Sequence, residues 1–137
     1  MFPLKYLGVI IDEKLSWDAH TKYLISKLAQ ANGAILKLRK YVSRKTMTCI
    51  YNSLVGSHLN YGILVWGSAK ECVLKKLQIS QNKVVRAMTF SSLTTNIKKL
   101  LQAQKIMNIK ELYDFEVSKF MYSMNNESLP EVFFGIC

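Results

Sequence analysis

Acidic residues are scarce along most of this chain. Residues 20 to 110 hold sixteen Lys or Arg and a single acid, Glu71, a local balance of +15 in a chain whose net charge is +10. Residues 1 to 19 contribute −1 and residues 111 to 137 contribute −4. A basic body with an acidic end suggests a polyanionic partner, of which nucleic acid is the commonest, although a solvated lysine-rich surface has the same composition. Cysteine is scarce too. Cys49, Cys72 and Cys137 are odd in number, widely spaced and without a CxxC pair. That argues against a disulfide framework and for reduced thiols in an intracellular protein, nuclear or cytoplasmic. His20 and His58 complete no zinc pattern with them.

Long unbroken apolar runs are also missing. LGVII is only five residues and meets Asp12 and Glu13 at once, so there is no secretory pattern. The longest uncharged stretch, TMTCIYNSLVGSHLNYGILVWGSA, carries Asn52, Ser53, Ser57, His58 and Asn60 through its middle. It reads as a buried helix, with no membrane span expected. The usual catalytic constellations are lacking: no HExxH, GxSxG, GxxxxGK[ST] or GxGxxG occurs. Asp12 and Glu13 point in different directions at a strand end, which suits a turn better than a metal site. By its own residues the chain reads as a binding domain, not an enzyme.

What is present is one domain's length, half of it apolar. The spacing predicts a mainly α protein, a helical bundle preceded by one short strand. In KYLGVIID, Leu7, Val9 and Ile11 alternate with Tyr6, Gly8 and Ile10, both faces mostly apolar, as in a buried strand. No second strand of comparable quality is evident, so its partners are expected outside the chain. After a polar turn over Asp12 to Leu15, Ser16 is expected to cap a helix from Trp17 to about Lys40. Its seam is Leu24, Leu28, Ala31, Ile35, Leu38 and Val42, with Lys22, Lys37 and Lys40 opposite. Ser43 should cap a second helix from about Arg44, with Ile50, Leu54 and Val55 apolar and Gly56 and Gly62 bending it.

A third helix is predicted from Glu71 to Thr89 on the seam Leu74, Leu77, Gln81, Val84 and Met88. Opposite that seam, at about 100° per residue, lie Lys75, Lys76, Lys83 and Arg86, a stripe without an acid in it. A binding surface explains this arrangement and so does a solvated face. SSLTTN reads as a loop, and Ile97 to Ala103 as a short helix. A last helix from Ile109 to about Met124 carries Tyr113, Val117, Phe120 and Met124 on one side, at the spacing of core residues. Ser128 and Pro130 are placed to start a terminal turn.

As an ordered set, the wording KYLGVIIDEKLSWDAHTKYLISKLAQANGAILKLRKY, IYNSLVGSHLNYGILVWGSA and LKKLQISQNKVVRAM resembles a known region. It is the segment after the catalytic core in non-LTR retrotransposon reverse transcriptases of the jockey-like, LINE-type lineage. The markers are a YLG strand, a Leu-Ser-Trp, a Tyr-Gly before a Trp-Gly, and a Gln-Asn before an Arg. IMNIKELYDFEVSKFMYSMNNESLPEVF looks like the same proteins' continuation.

The resemblance implies that residues 1–15 are the end of the palm, with the primer-grip strand, and that residues 16–137 are the helical thumb and post-thumb region. It implies that the chain is part of an RNA-directed DNA polymerase. Such a part would hold an RNA–DNA hybrid or other primer–template by its phosphates and would not be catalytic alone. Lys5, Tyr6, Leu7 and Gly8 match the primer-grip strand, where a glycine lets a nucleic-acid backbone come close or merely relieves crowding. Lys75, Lys76, Lys83 and Arg86 fall in the thumb, and of these the family motif itself carries only Arg86. Trp17, Trp66 and Gln81 also match and are expected to be structural.

The paired aspartates that hold two magnesium ions in the family occur in neither FADD nor YADD form here. With the upstream palm and fingers they are expected before Met1, which looks like an internal start or the edge of a truncated copy. No cofactor is therefore expected in this chain. Two other readings stay open: a helical protein-interaction module, and a non-functional truncated element copy.

Overall fold

A computed structural model describes residues 3–126 and 128–130. The terminal turn expected after Pro130 falls outside the described residues. The chain is mainly helical, with one two-stranded sheet among the described residues.

The run expected as one strand folds back on itself. Strands β1 (Leu4–Tyr6) and β2 (Val9–Ile11) pair antiparallel, with Leu4 opposite Ile11, Lys5 opposite Ile10 and Tyr6 opposite Val9. Leu7 and Gly8 form the two-residue turn at φ 48 and 85. Positive φ at both positions is the hairpin turn whose twist matches that of the strands. The unpaired strand edge thus finds half of its partners within its own segment. It also breaks the expected alternation, because Leu7 is exposed in the turn instead of sharing a face with Val9 and Ile11.

Helix α1 (Asp18–Leu38) buries Leu24, Leu28, Ala31 and Ile35, the first four positions of the expected seam, while Leu38 is exposed. Its cap is not Ser16. Both carboxylate oxygens of Asp12 draw in Ser16, Oδ1 accepting its N–H at 2.8 Å and Oδ2 its hydroxyl at 2.5 Å. Trp17, left-handed at φ 64, therefore takes the cap position and turns a buried indole into the core.

Ser43 does cap α2 (Arg44–Tyr51), accepting the Thr46 N–H at 3.2 Å. The backbone then continues through a π-helical stretch, Asn52–Gly56, into α3 (Ser57–Asn60). The buried residues Met47, Tyr51, Val55 and Leu59 recur every four positions. In an unbroken 3.6-residue helix such a stripe drifts by about 40° per step. The wider π turn takes that drift back and keeps all four facing inward.

A left-handed Gly62, at φ 68, starts the short α4 (Ile63–Trp66). Helix α5 (Glu71–Met88) lies along α1, burying Leu77, Gln81, Val84 and Met88. Arg39 Nη1 donates to the Ala87 carbonyl at 3.0 Å, so the C-terminal ends of the two helices meet and they run in the same sense.

Helices α6 (Ile97–Ala103) and α7 (Ile109–Asn125) complete the body. On α7 only Ile109 and Leu112 are buried. The expected core side of Tyr113, Val117, Phe120 and Met124 is half-buried, and Phe115, Met121 and Tyr122 are exposed.

Candidate nucleic-acid interface

The hairpin is latched to the helices by two polar contacts, one of them braced by a third. In an antiparallel pair the residues alternate between exchanging hydrogen bonds and pointing them outward, and Ile10 is of the outward kind. Its N–H donates to His20 Nδ1 at 3.3 Å. The Tyr61 hydroxyl donates to the Leu7 carbonyl at the turn. The Trp66 indole N–H then fixes the Tyr61 carbonyl at 3.0 Å. Together these bonds explain the Tyr-Gly and Trp-Gly pairs: Tyr61 and Trp66 tie hairpin to bundle, and both glycines are points of close approach. A Cβ on Gly62 would lie 3.2 Å from Val9 Cγ2, and one on Gly67 only 2.3 Å from Tyr113 Cδ2.

His20 is buried, and loss of solvent holds its pKa below the ordinary 6.5. The ring lies against Tyr23 and Trp66, with centroids at 6.2 and 5.8 Å. Because Nδ1 accepts from Ile10, the neutral ring carries its proton on Nε2, which is buried with no hydrogen-bond partner. Asp12's carboxyl is held below its usual range, first by the Ser16 hydroxyl and then by the Ser16 amide.

Of the hairpin residues expected to meet nucleic acid, Lys5, Tyr6 and Leu7 are exposed. Lys5 Nζ stands 5.3 Å from the centroid of the Tyr23 ring, and Lys27 Nζ stands 5.5 Å from the same ring. The Tyr23 ring itself lines a groove of about 300 Å³, whose lining also includes Gly8, His20, His58 and Tyr61. Gly8 is required by its own turn and by Tyr61, whose Cε1 would be 3.2 Å from an added Cβ. The pairing of Lys27 with Tyr23 was visible as an i, i+4 spacing on α1 but carried no family marker.

The stripe on α5 divides. Lys76 and Lys83 are exposed. Lys75 pairs with Glu71 at 3.1 Å, both side chains well solvated, so the stripe has an acid at its edge after all. Arg86 is committed to structure: its Nη1 donates to the carbonyls of Ser92 and Thr95 at 2.7 and 2.8 Å, closing the loop before α6.

Gln81 behaves as expected of a buried amide. Its Nε2 donates to the Tyr51 hydroxyl at 3.1 Å and the Met107 carbonyl at 3.0 Å, and its Oε1 accepts from Gln78 at 2.7 Å. Gln78 Oε1 in turn accepts the Ile109 N–H at the start of α7. The Gln-Asn marker therefore sits within a network that ties α2, α5 and α7 together.

Comparison with known proteins yields a consistent set of relatives. A probable RNA-directed DNA polymerase from transposon X-element of Drosophila melanogaster is 31% identical over 88 residues, 62% of this chain and 10% of the relative. The corresponding protein from transposon BS of the same fly is 33% identical over 91 residues, again 62% of the chain and 10% of the relative. The RNA-directed DNA polymerase from mobile element jockey is 26% identical over 125 residues, 88% of the chain and 14% of the relative. This chain is similar to RNA-directed DNA polymerases of the Drosophila mobile elements X-element, BS and jockey. It spans about a tenth of the length of the first relatives it matches. No family model and no solved structure matches it.

The resemblance implies a magnesium site in the complete polymerase. Among the described residues no three His, Cys, Asp or Glu side chains converge on a point that could hold a metal ion. Asp12's two oxygens are already occupied by Lys14 and Ser16. Among the described residues the donor set does not suit the ions. Among the described residues no helix is long and apolar enough to cross a membrane.

Proposed function

We propose that this chain is the palm-end and thumb portion of a jockey-like reverse transcriptase, residues 1–15 belonging to the palm and 16–137 to the thumb and post-thumb region. It holds a primer–template duplex by its phosphates and depends on upstream palm and fingers for chemistry. The observation that carries this reading is the ordered match to RNA-directed DNA polymerases across a body that contains sixteen cations and one acid between residues 20 and 110. Lys76, Lys83 and Lys5 are the residues best placed to meet phosphates, since Lys75 shares its charge with Glu71 and Arg86 braces a loop.

The test is fluorescence anisotropy of a labelled RNA–DNA hybrid with the 137-residue chain between 50 and 200 mM salt. Each phosphate neutralised releases counterions, so log affinity should fall linearly with log salt, with a slope on the order of −2 to −4. Lys76→Glu with Lys83→Glu should weaken binding for every sequence and flatten the slope by about one per residue. Affinity indifferent to salt overturns the proposal.

One observation favours a protein-interaction role. Phe115, Met121 and Tyr122 of α7, and Leu4 and Tyr6 of β1, are exposed apolar side chains of the kind that partner surfaces cover. An intact complex with a protein partner, together with no hybrid affinity, would favour that reading.

A further inference from the structure

The C-terminal ends of α1 and α5 enclose a second basic site, apart from the stripe and the hairpin. A pocket of about 150 Å³ is lined by residues that include Arg39, Arg44, Ser43, Thr89, Phe90 and Gln104, and among the described residues no carboxylate lines it. Its surroundings are dense in positive charge, since KLRKYVSRK, residues 37 to 45, carries five cations and no acid.

Arg39 is held rigidly. Its Nη1 donates to the Ala87 carbonyl at 3.0 Å, and its guanidinium carbon lies 4.5 Å from the centroid of the Phe90 ring. Its Nε is buried without a hydrogen-bond partner. A buried donor on a cation left without an acceptor is costly, and an anion reached by a small shift of the guanidinium toward the pocket would remove that cost. A guanidinium already fixed by a carbonyl and a ring loses little freedom when it binds, and its planar fork suits phosphate oxygens. Arg44, exposed at the first position of α2, supplies a second guanidinium on the rim. The two hydroxyls are committed elsewhere: Ser43 accepts the Thr46 N–H and Thr89 donates to the Val85 carbonyl. The volume is below the ~300–1,000 Å³ that drug-sized ligands occupy, so the pocket suits one group of a larger molecule or a small anion.

We infer that this pocket takes a single phosphate group between Arg39 and Arg44. The source considered first is the backbone of the duplex held along α5, a step that rests on the function proposed above. With α5 spanning roughly 27 Å at 1.5 Å per residue, the hairpin groove and this pocket would lie near opposite ends of one track.

The experiment is NMR of the arginine Nε–H resonances of the whole chain, titrated with inorganic phosphate and separately with an RNA–DNA hybrid. Sodium chloride and sodium acetate at matched ionic strength are the controls. The Arg39 Nε–H signal should move saturably with phosphate and stay in place with chloride and acetate. Arg44→Ala, at an exposed position, should raise the phosphate Kd roughly tenfold, the loss expected for one charge-assisted hydrogen bond.

A hybrid that moves the same signal identifies the strand backbone as the source. If phosphate saturates the pocket while no hybrid binds the chain, the site stands as one for a free phosphate ion or monoester, and the nucleic-acid reading falls. If the Arg39 signal shifts only with ionic strength, or equally with acetate, the pocket inference is overturned. That holds even where Lys76→Glu with Lys83→Glu abolishes hybrid binding.

Discussion

Two residues bear more of the fold than their size suggests. Gly67 lies under the Tyr113 ring, and an added Cβ would stand 2.3 Å from Cδ2 and 2.4 Å from the Ile63 carbonyl oxygen. Neither neighbour gives cheaply, because one is a packed ring and the other is backbone. Gly67→Ala should therefore destabilise by about 2–3 kcal/mol or more, read as a lower urea midpoint, by forcing α4 and α7 apart. His20 acts through its protonation state. Its pKa is lower in the folded chain than the ordinary 6.5, so the unfolded chain binds the proton more readily. Stability should be full above about pH 6.5 and decline as pH falls below it toward the folded pKa. Protonating Nδ1 would also remove the acceptor of the Ile10 N–H. Denaturant midpoints from pH 8 to pH 5 in the native chain and in His20→Gln check this. The fall should be smaller in the variant, and an equal fall in both would assign the effect to other groups.

At the scale of elements, the hairpin holds a choice that stability alone would not make. Leu7 occupies a left-handed turn position where Asn is preferred, and its side chain is exposed. A non-glycine residue there costs roughly 1–2 kcal/mol, and an exposed leucine recovers little of it by burial. Leu7→Asn should raise the melting temperature while keeping the backbone carbonyl that Tyr61 bonds. If the hairpin tip meets primer–template, the same change should weaken hybrid binding. A gain in stability with unchanged affinity would remove Leu7 from the interface. The hairpin is also where sequence periodicity misled. Alternating apolar residues announce an extended backbone but do not reveal a reversal at a Leu-Gly step, because only Gly8 signals the turn. The long helices were legible because their seams repeat over several turns. The π stretch is legible in the sequence only as a bend at Gly56, because the apolar positions read there, Ile50, Leu54 and Val55, do not include the buried stripe Met47, Tyr51 and Leu59 whose spacing by four requires it. Helical spacing puts Arg86 opposite the seam, but its commitment to the Ser92 and Thr95 carbonyls depends on a loop geometry that such spacing does not contain. The cluster around Arg39 could have been noticed as five cations in nine residues, yet its buried Nε is a tertiary fact.

For the whole molecule, folding and binding should respond to salt with opposite signs. A body with sixteen cations and one acid between residues 20 and 110 repels itself when compact, and Lys76 and Lys83 add to that field while lending nothing to the core. The screening length shortens from about 30 Å at 0.01 M salt to about 10 Å at 0.1 M, so added salt relieves repulsion across the bundle. The melting temperature should rise over that range, whereas hybrid affinity falls because phosphate contacts compete with counterions. Lys76→Glu with Lys83→Glu should move both at once, giving a higher melting temperature at low salt, a flatter dependence on salt, and weaker binding. Calorimetry and anisotropy on the same samples check the pairing. If the double variant lost stability, the stripe would be part of the fold, and its weakened binding could no longer be assigned to phosphate contacts.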